Sequence, residues 1–191
     1  TNKKNQSNML ALPRDLMLEI LGHVASSQST DFFNARLSCK EIWKVADDDY
    51  LYSRISLEKF ECIQWRENKL VTSFMDRCKE SGNPEALYRQ GVIEYFSRLE
   101  LESGLSYLRQ AADLGHYGAA YILAIILLCT NQNARQEAMK LLDGVKGAKR
   151  IGESQQKLKN ILWIIWVNNR DLGRQFPGNN CPARDQHRKR Q

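Results

Sequence analysis

The side chains with most chemistry to offer are three histidines (His23, His116, His187), five cysteines (Cys39, Cys62, Cys78, Cys129, Cys181) and two acidic groupings, Glu100 with Glu102 and Asp47 with Asp48 and Asp49. A histidine beside a serine or cysteine could activate a nucleophile, and clustered cysteines and histidines could hold zinc. Neither arrangement is written here. No histidine lies near a Cys or Ser in a nucleophile pattern, and G-x-S-x-G, Walker and G-x-G-x-x-G sequences are all absent. The cysteines are odd in number and scattered without a C-x-x-C pair, so they spell neither a disulfide framework nor a four-ligand zinc site. Scattered thiols suit a reducing compartment, the cytosol or nucleus. The paired acids read as solvated faces and helix ends. The reading is a protein that is not an enzyme, with no catalytic residue, no metal and no cofactor.

Binding is the remaining class of function, and the elements that would serve it are helices. From Leu12, apolar residues at 13, 16/17, 20/21 and 24 fall on one helical face. Pro13 suits a first helical position, and Asp15 a first turn. After a polar break (residues 26–30), Phe32, Phe33, Ala35 and Leu37 mark a second short helix. Ser38 with Glu41 reads as an S-x-x-E capping box opening a third helix through Ile42, Trp43, Val45 and Ala46. Three short helices build only a small core, so leftover apolar faces point to a partner surface.

Leu12-Pro13-Arg14-Asp15-Leu16, then Ile20-Leu21, then Leu37-Ser38-Cys39-Lys40-Glu41-Ile42-Trp43, then Tyr50-Leu51 and Ile55, resemble an F-box. The resemblance implies docking of a helical Skp-type adaptor, and through it a cullin ubiquitin ligase. It assigns adaptor contact to Leu12, Pro13, Leu16, Ile20, Leu21, Leu37, Cys39, Lys40 and Trp43. Residues 1–10 are read as a disordered lead, 11–56 as the F-box, and 57–81 as a connector and capping helix too apolar for a free linker.

A repeat follows. Gly82 pairs with Gly115, Ala86 with Ala119, Tyr88 with Tyr121 and Gly91 with Ala124, each at an offset of 33 (119 − 86 = 121 − 88). Such a period, with small residues where helices cross, suits two-helix solenoid units. A helix through residues 104–112 would end at Gly115, a natural C′ glycine. The stretch resembles Sel-type repeats, relatives of the tetratricopeptide repeat found with F-boxes in plant proteins. It implies a repeat array over residues 82–147 that holds a target protein. Arg89, Tyr95, Tyr107, Arg109, Tyr117, Trp163 and Trp166 are the candidate contacts, because interface hot spots favour Trp, Tyr and Arg.

Residues 148–169 are read as a C-terminal capping helix, apolar nearly all round over 161–167, with a β-strand there as the alternative. Residues 170–191 are read as a basic disordered tail. Some plant relatives continue into a zinc finger, but Cys181 and His187 supply only two of four ligands. The net charge of +6 is uneven, since residues 132–191 carry 13 Lys+Arg against 5 Asp+Glu. No aromatic-interleaved basic motif accompanies that excess, so no nucleic-acid partner is read. No signal peptide is read at the start, and the apolar run 117–129 is shorter than the roughly 18 residues that span a membrane. The fold class is all-α: a three-helix F-box-like module followed by a short α-hairpin repeat array. The function read is a substrate-recruiting ligase subunit, with a helical scaffold lacking any ubiquitin role as the rival.

Overall fold

The computed structural model describes residues 12–60, 68–130, 134–145 and 147–168, the side chains of Ala148 and residues 166–168 excepted. In chain order the helices are α1 (Arg14–Ser27), α2 (Ser29–Ser38), α3 (Lys40–Val45), α4 (Asp49–Tyr52), α5 (Lys69–Glu80) and α6 (Pro84–Ile93). There follow a π turn (Glu94–Arg98), α7 (Leu101–Asp113), α8 (Tyr117–Thr130), α9 (Arg135–Gly144) and α10 (Ala148–Asn168). The fold is all-α, and no strand occurs among the described residues. The strand alternative at 161–167 is overturned, because α10 runs through it as one helix.

Helix ends differ in detail from the sequence reading. Pro13 sits one residue ahead of α1, at the cap, where its carbonyl accepts the Met17 N–H at 3.1 Å. The break after α1 is Gln28 alone, extended at φ −145°. Ser38 does not cap α3. It remains the last residue of α2 and donates its hydroxyl to the Ala35 carbonyl at 2.7 Å, so Cys39 takes the cap with its Sγ 3.5 Å from the Ile42 N–H. Asp48 caps α4, accepting from the Tyr50 N–H at 3.1 Å.

Two apolar cores share the chain. The first gathers Leu21, Ala25, Phe32, Ile42, Leu51, Ile55 and Leu57 from α1–α4 and their sequel, closed by Cys78 and Ala86. The second gathers Leu87, Tyr88, Val92, Leu108, Ala119, Ile122, Ile161 and Ile165. The boundary falls inside α6, between Ala86 and Leu87, so one helix serves both.

The repeat is visible in its caps. Gly82 and Gly115 both adopt left-handed φ, +77° and +85°. Asn83 N–H reaches Cys78 O at 2.9 Å, and His116 N–H reaches Ala111 O at 3.0 Å, the same backward bond one repeat apart. Asn83 and His116 then cap α6 and α8, accepting from Ala86 N–H at 3.2 Å and Ala119 N–H at 3.0 Å. Tyr88 and Tyr121 are each the fifth residue of their helix. Ala86, Gly91, Ala111, Ala119 and Ala124 are all buried.

The two parts are joined by buried polar side chains. Asn83 donates to the carbonyls of Tyr52 and Ile55 at 3.0 and 2.9 Å. Arg89 donates to the carbonyls of Leu57 and Phe60 at 2.8 and 3.0 Å, and to Glu85 at 2.8 Å. Glu85 also meets His116 at 2.8 Å and Lys157 of α10 at 2.7 Å. Across the outer seam, Arg77 of α5 donates to the Asp47 carboxylate at 2.7 Å and its carbonyl at 2.6 Å, with its guanidinium 4.1 Å over the Tyr52 ring.

Candidate protein-docking site

The first helices leave large apolar side chains uncovered. Leu16 is 48% exposed and Ile20 37% on α1, Leu37 81% at the end of α2, and Trp43 51% on α3. Pro13 and Lys40 are exposed beside them, and Leu12 and Cys39 are half-buried. Pro13, Leu16 and Ile20 repeat at i, i+3 and i+7, so they form one stripe down α1. Arg36 lies 5.8 Å over the Trp43 ring. Leu21 departs from the set. It lies about 100° round the helix from Ile20, and at 3% exposure it is part of the first core rather than the open stripe.

These side chains are open because the core beneath them is already filled. Ile42 and Val45 face inward from α3, which leaves Trp43 outward, and on α2 Phe32 is buried in the first core while Leu37 is left outside it. Arg14, next to Pro13, pairs with Asp48 at 2.8 Å. An apolar stripe of this kind offers burial worth about 1.5–3 kcal/mol per large side chain covered.

The second candidate group, in the repeats, is not drawn together. Arg89 is only 4% exposed and fully engaged with Glu85 and backbone carbonyls, so it is not presented to a partner. That corrects the sequence expectation, which saw an arginine near aromatics but not its carbonyl partners some 30 residues earlier. Tyr95 and Tyr107 are half-buried against the second core. Arg109 pairs with Glu137 at 2.8 Å on the surface, and Tyr117 is exposed with Arg150 stacked 4.3 Å over its ring. Trp163 is 51% exposed, because it lies on the side of α10 opposite Ile161 and Ile165. The Trp166 side chain lies outside the described residues, as do Cys62, Cys181 and His187.

The cluster not foreseen is Asn83–Glu85–His116–Lys157. His116 Nδ1 accepts from Ala119 N–H, so its proton sits on Nε2 and is donated to Glu85. Burial would push the Glu85 carboxyl up, but His116, the Arg89 guanidinium and the Lys157 ammonium outweigh it and hold the group at about 2. Among the described residues no group of three or more His, Cys, Asp or Glu is placed to hold a metal, and no helix is long and apolar enough to cross a membrane.

Comparison with known proteins agrees with this architecture. Residues 57–163 match the family described as plant tetratrico peptide repeats. Three Arabidopsis thaliana proteins named as F-box proteins are similar in sequence. At1g67623 is 33% identical across 82% of this chain and 54% of its own length. At2g35280 is 32% identical across 67% of this chain and 78% of its own length, and At1g67340 is 30% identical across 61% and 31%. The chain thus spans about half of the first of these relatives. No solved structure matches it.

Proposed function

Because the chain belongs to the plant tetratrico peptide repeat family and is an F-box protein by its kinship with At2g35280, we propose that it recruits substrates to a Skp-cullin-type E3 ubiquitin ligase. One observation carries the reading: the F-box-like helices expose an apolar stripe, Leu16 and Ile20 with Leu37 and Trp43, although a filled core lies beneath. Pro13, Lys40 and the half-buried Leu12 and Cys39 extend the adaptor contact. A helical Skp-type adaptor would cover this stripe, and a cullin would follow through the adaptor. The repeats would hold the target, with Arg109, Tyr117 and Trp163 as the accessible contacts, the half-buried Tyr95 and Tyr107 less so, and Trp166 following on the same helix.

In this role the chain makes and breaks no bonds. It raises the concentration of target lysines near a ubiquitin-loaded enzyme by holding two partners at once. The compartment that fits is the cytosol or the nucleus. The rival reading, a helical scaffold without ubiquitin, draws on the packing of α1–α4 against α5 and α6. It gives no reason for the outward stripe.

Pull-down from a plant cell extract distinguishes the two. The wild-type chain should bring down a Skp-type adaptor stoichiometrically, and Leu37→Glu with Trp43→Glu should lose it. Both side chains are exposed, so the variant should keep its helical content. A wild-type chain that retains its fold and captures no adaptor would leave the scaffold reading standing.

A further inference from the structure

We propose that Asn83 and Arg89 are positioning residues, which hold the adaptor-facing helices and the repeats in one fixed relative orientation. This rests on the reading that the chain bridges an adaptor and a target. Relative motion between the parts of a chain is the default unless the interface is large and apolar. Here the seam contains carbonyl oxygens of Tyr52, Ile55, Leu57 and Phe60, four acceptors at the end of the first part. Asn83 at the cap of α6 and Arg89 within the helix donate to all four, and the Leu57 carbonyl accepts the Phe60 N–H as well, at 3.0 Å. Asn83 uses its remaining oxygen to cap α6 itself, at 3.1 Å from Glu85 N–H and 3.2 Å from Ala86 N–H, so its amide cannot turn without uncapping the helix. Arg89 is fixed in turn by Glu85, whose other oxygen is held by His116 and Lys157. Tilting the first part would therefore break these bonds, leave the buried Tyr52 and Ile55 carbonyls without the Asn83 amide, and disturb a carboxylate tied to α8 and α10 as well.

The consequence is geometrical. A subunit that works by proximity delivers a target to one place only if its two docking surfaces keep their mutual angle. Asn83 and Arg89 then matter for which lysines are reached, beyond any contribution to stability.

Spin labels at Glu19 on α1 and Lys159 on α10, both exposed, would read the angle as a distance distribution in the full chain, with every cysteine except Cys78 changed to serine. The wild-type distribution should be single and narrow. Arg89→Lys keeps a charge opposite Glu85 but cannot reach both carbonyls, and should widen the distribution about twofold while helical content and adaptor affinity stay within about twofold. Asn83→Ala should widen it as well. If Asn83→Ala fails to fold, Arg89→Lys decides. Reconstituted with adaptor, cullin and ubiquitin-loaded enzyme, Arg89→Lys should spread self-modification over more lysines of α9 and α10 than wild type, at equal adaptor affinity. A wild-type width in folded Arg89→Lys overturns the proposal. Should the wild type bind no adaptor, the ligase reading falls, while the distance measurement still judges the joint.

Discussion

Glu85 ties α6 to α8 through His116, to α10 through Lys157 and to the first part through Arg89. Its carboxyl is held at about 2 against an ordinary value of 4.5. A depressed acid contributes stability that is complete above its unfolded value and is lost as pH falls toward the folded one. Stability should therefore drop between about pH 4.5 and pH 2, by roughly 3 kcal/mol for this group. Denaturant unfolding across that window should show the drop in wild type and a flatter profile in Glu85→Gln. A parallel profile in the two would mean that other carboxylates dominate. Cys78 offers a second check, because burial pushes its thiol up to about 12 against the pull of Arg77. Iodoacetamide at neutral pH should modify exposed Cys129 and leave Cys78 untouched in the folded chain. Part of this was legible in advance. The offset of 33 that pairs Gly82 with Gly115 also pairs Asn83 with His116, and both prove to be caps. Lys157 was not legible, for it reaches Glu85 across 72 residues and belongs to a helix with no repeat register.

At the scale of elements, helix type and order follow from periodicity, whereas the crossings depend on two glycines. A Cβ on Gly91 would lie 2.8 Å from Leu108 Cγ and 3.0 Å from the Gly104 carbonyl, and one on Gly104 would lie 2.8 Å from the Tyr95 backbone nitrogen. Gly91→Ala should therefore lower stability by about 1–3 kcal/mol through overpacking, despite alanine's better helix propensity. Thermal melts of Gly91→Ala beside Gly144→Ala, whose site has nothing within 4 Å, separate the two effects. The first should melt lower and the second no lower than wild type. Gly91 stood out in the sequence because Ala124 occupies its place in the next unit, but Gly104 did not. The π turn was also hidden. Its end is Leu99, at φ 60°, and a non-glycine residue in left-handed conformation carries no mark in composition. The α3 cap was misread for a related reason. Ser38 and Cys39 are both possible caps, and the choice depends on α2 running one residue further than its apolar pattern.

At the scale of the whole molecule, the described helices build two apolar cores that meet within α6. The outward apolar face was foreseen, because short helices could not cover it. The carbonyls that Asn83 and Arg89 reach have no sequence signature, so this polar joint was not legible. If the repeats rather than the basic end hold the target, deletion after Gly173 should leave target binding intact, with at most a slower on-rate at low salt. Loss of binding at every ionic strength would transfer that role to the tail. The adaptor contact is tested most directly by titration calorimetry with a purified Skp-type adaptor, wild type against Leu12→Ala combined with Pro13→Ala. Truncating a central contact commonly costs more than about 1 kcal/mol, so the double variant should bind at least about tenfold more weakly with its circular dichroism almost unchanged. Equal affinity in the two, or no heat of binding with the wild type, would overturn the assignment.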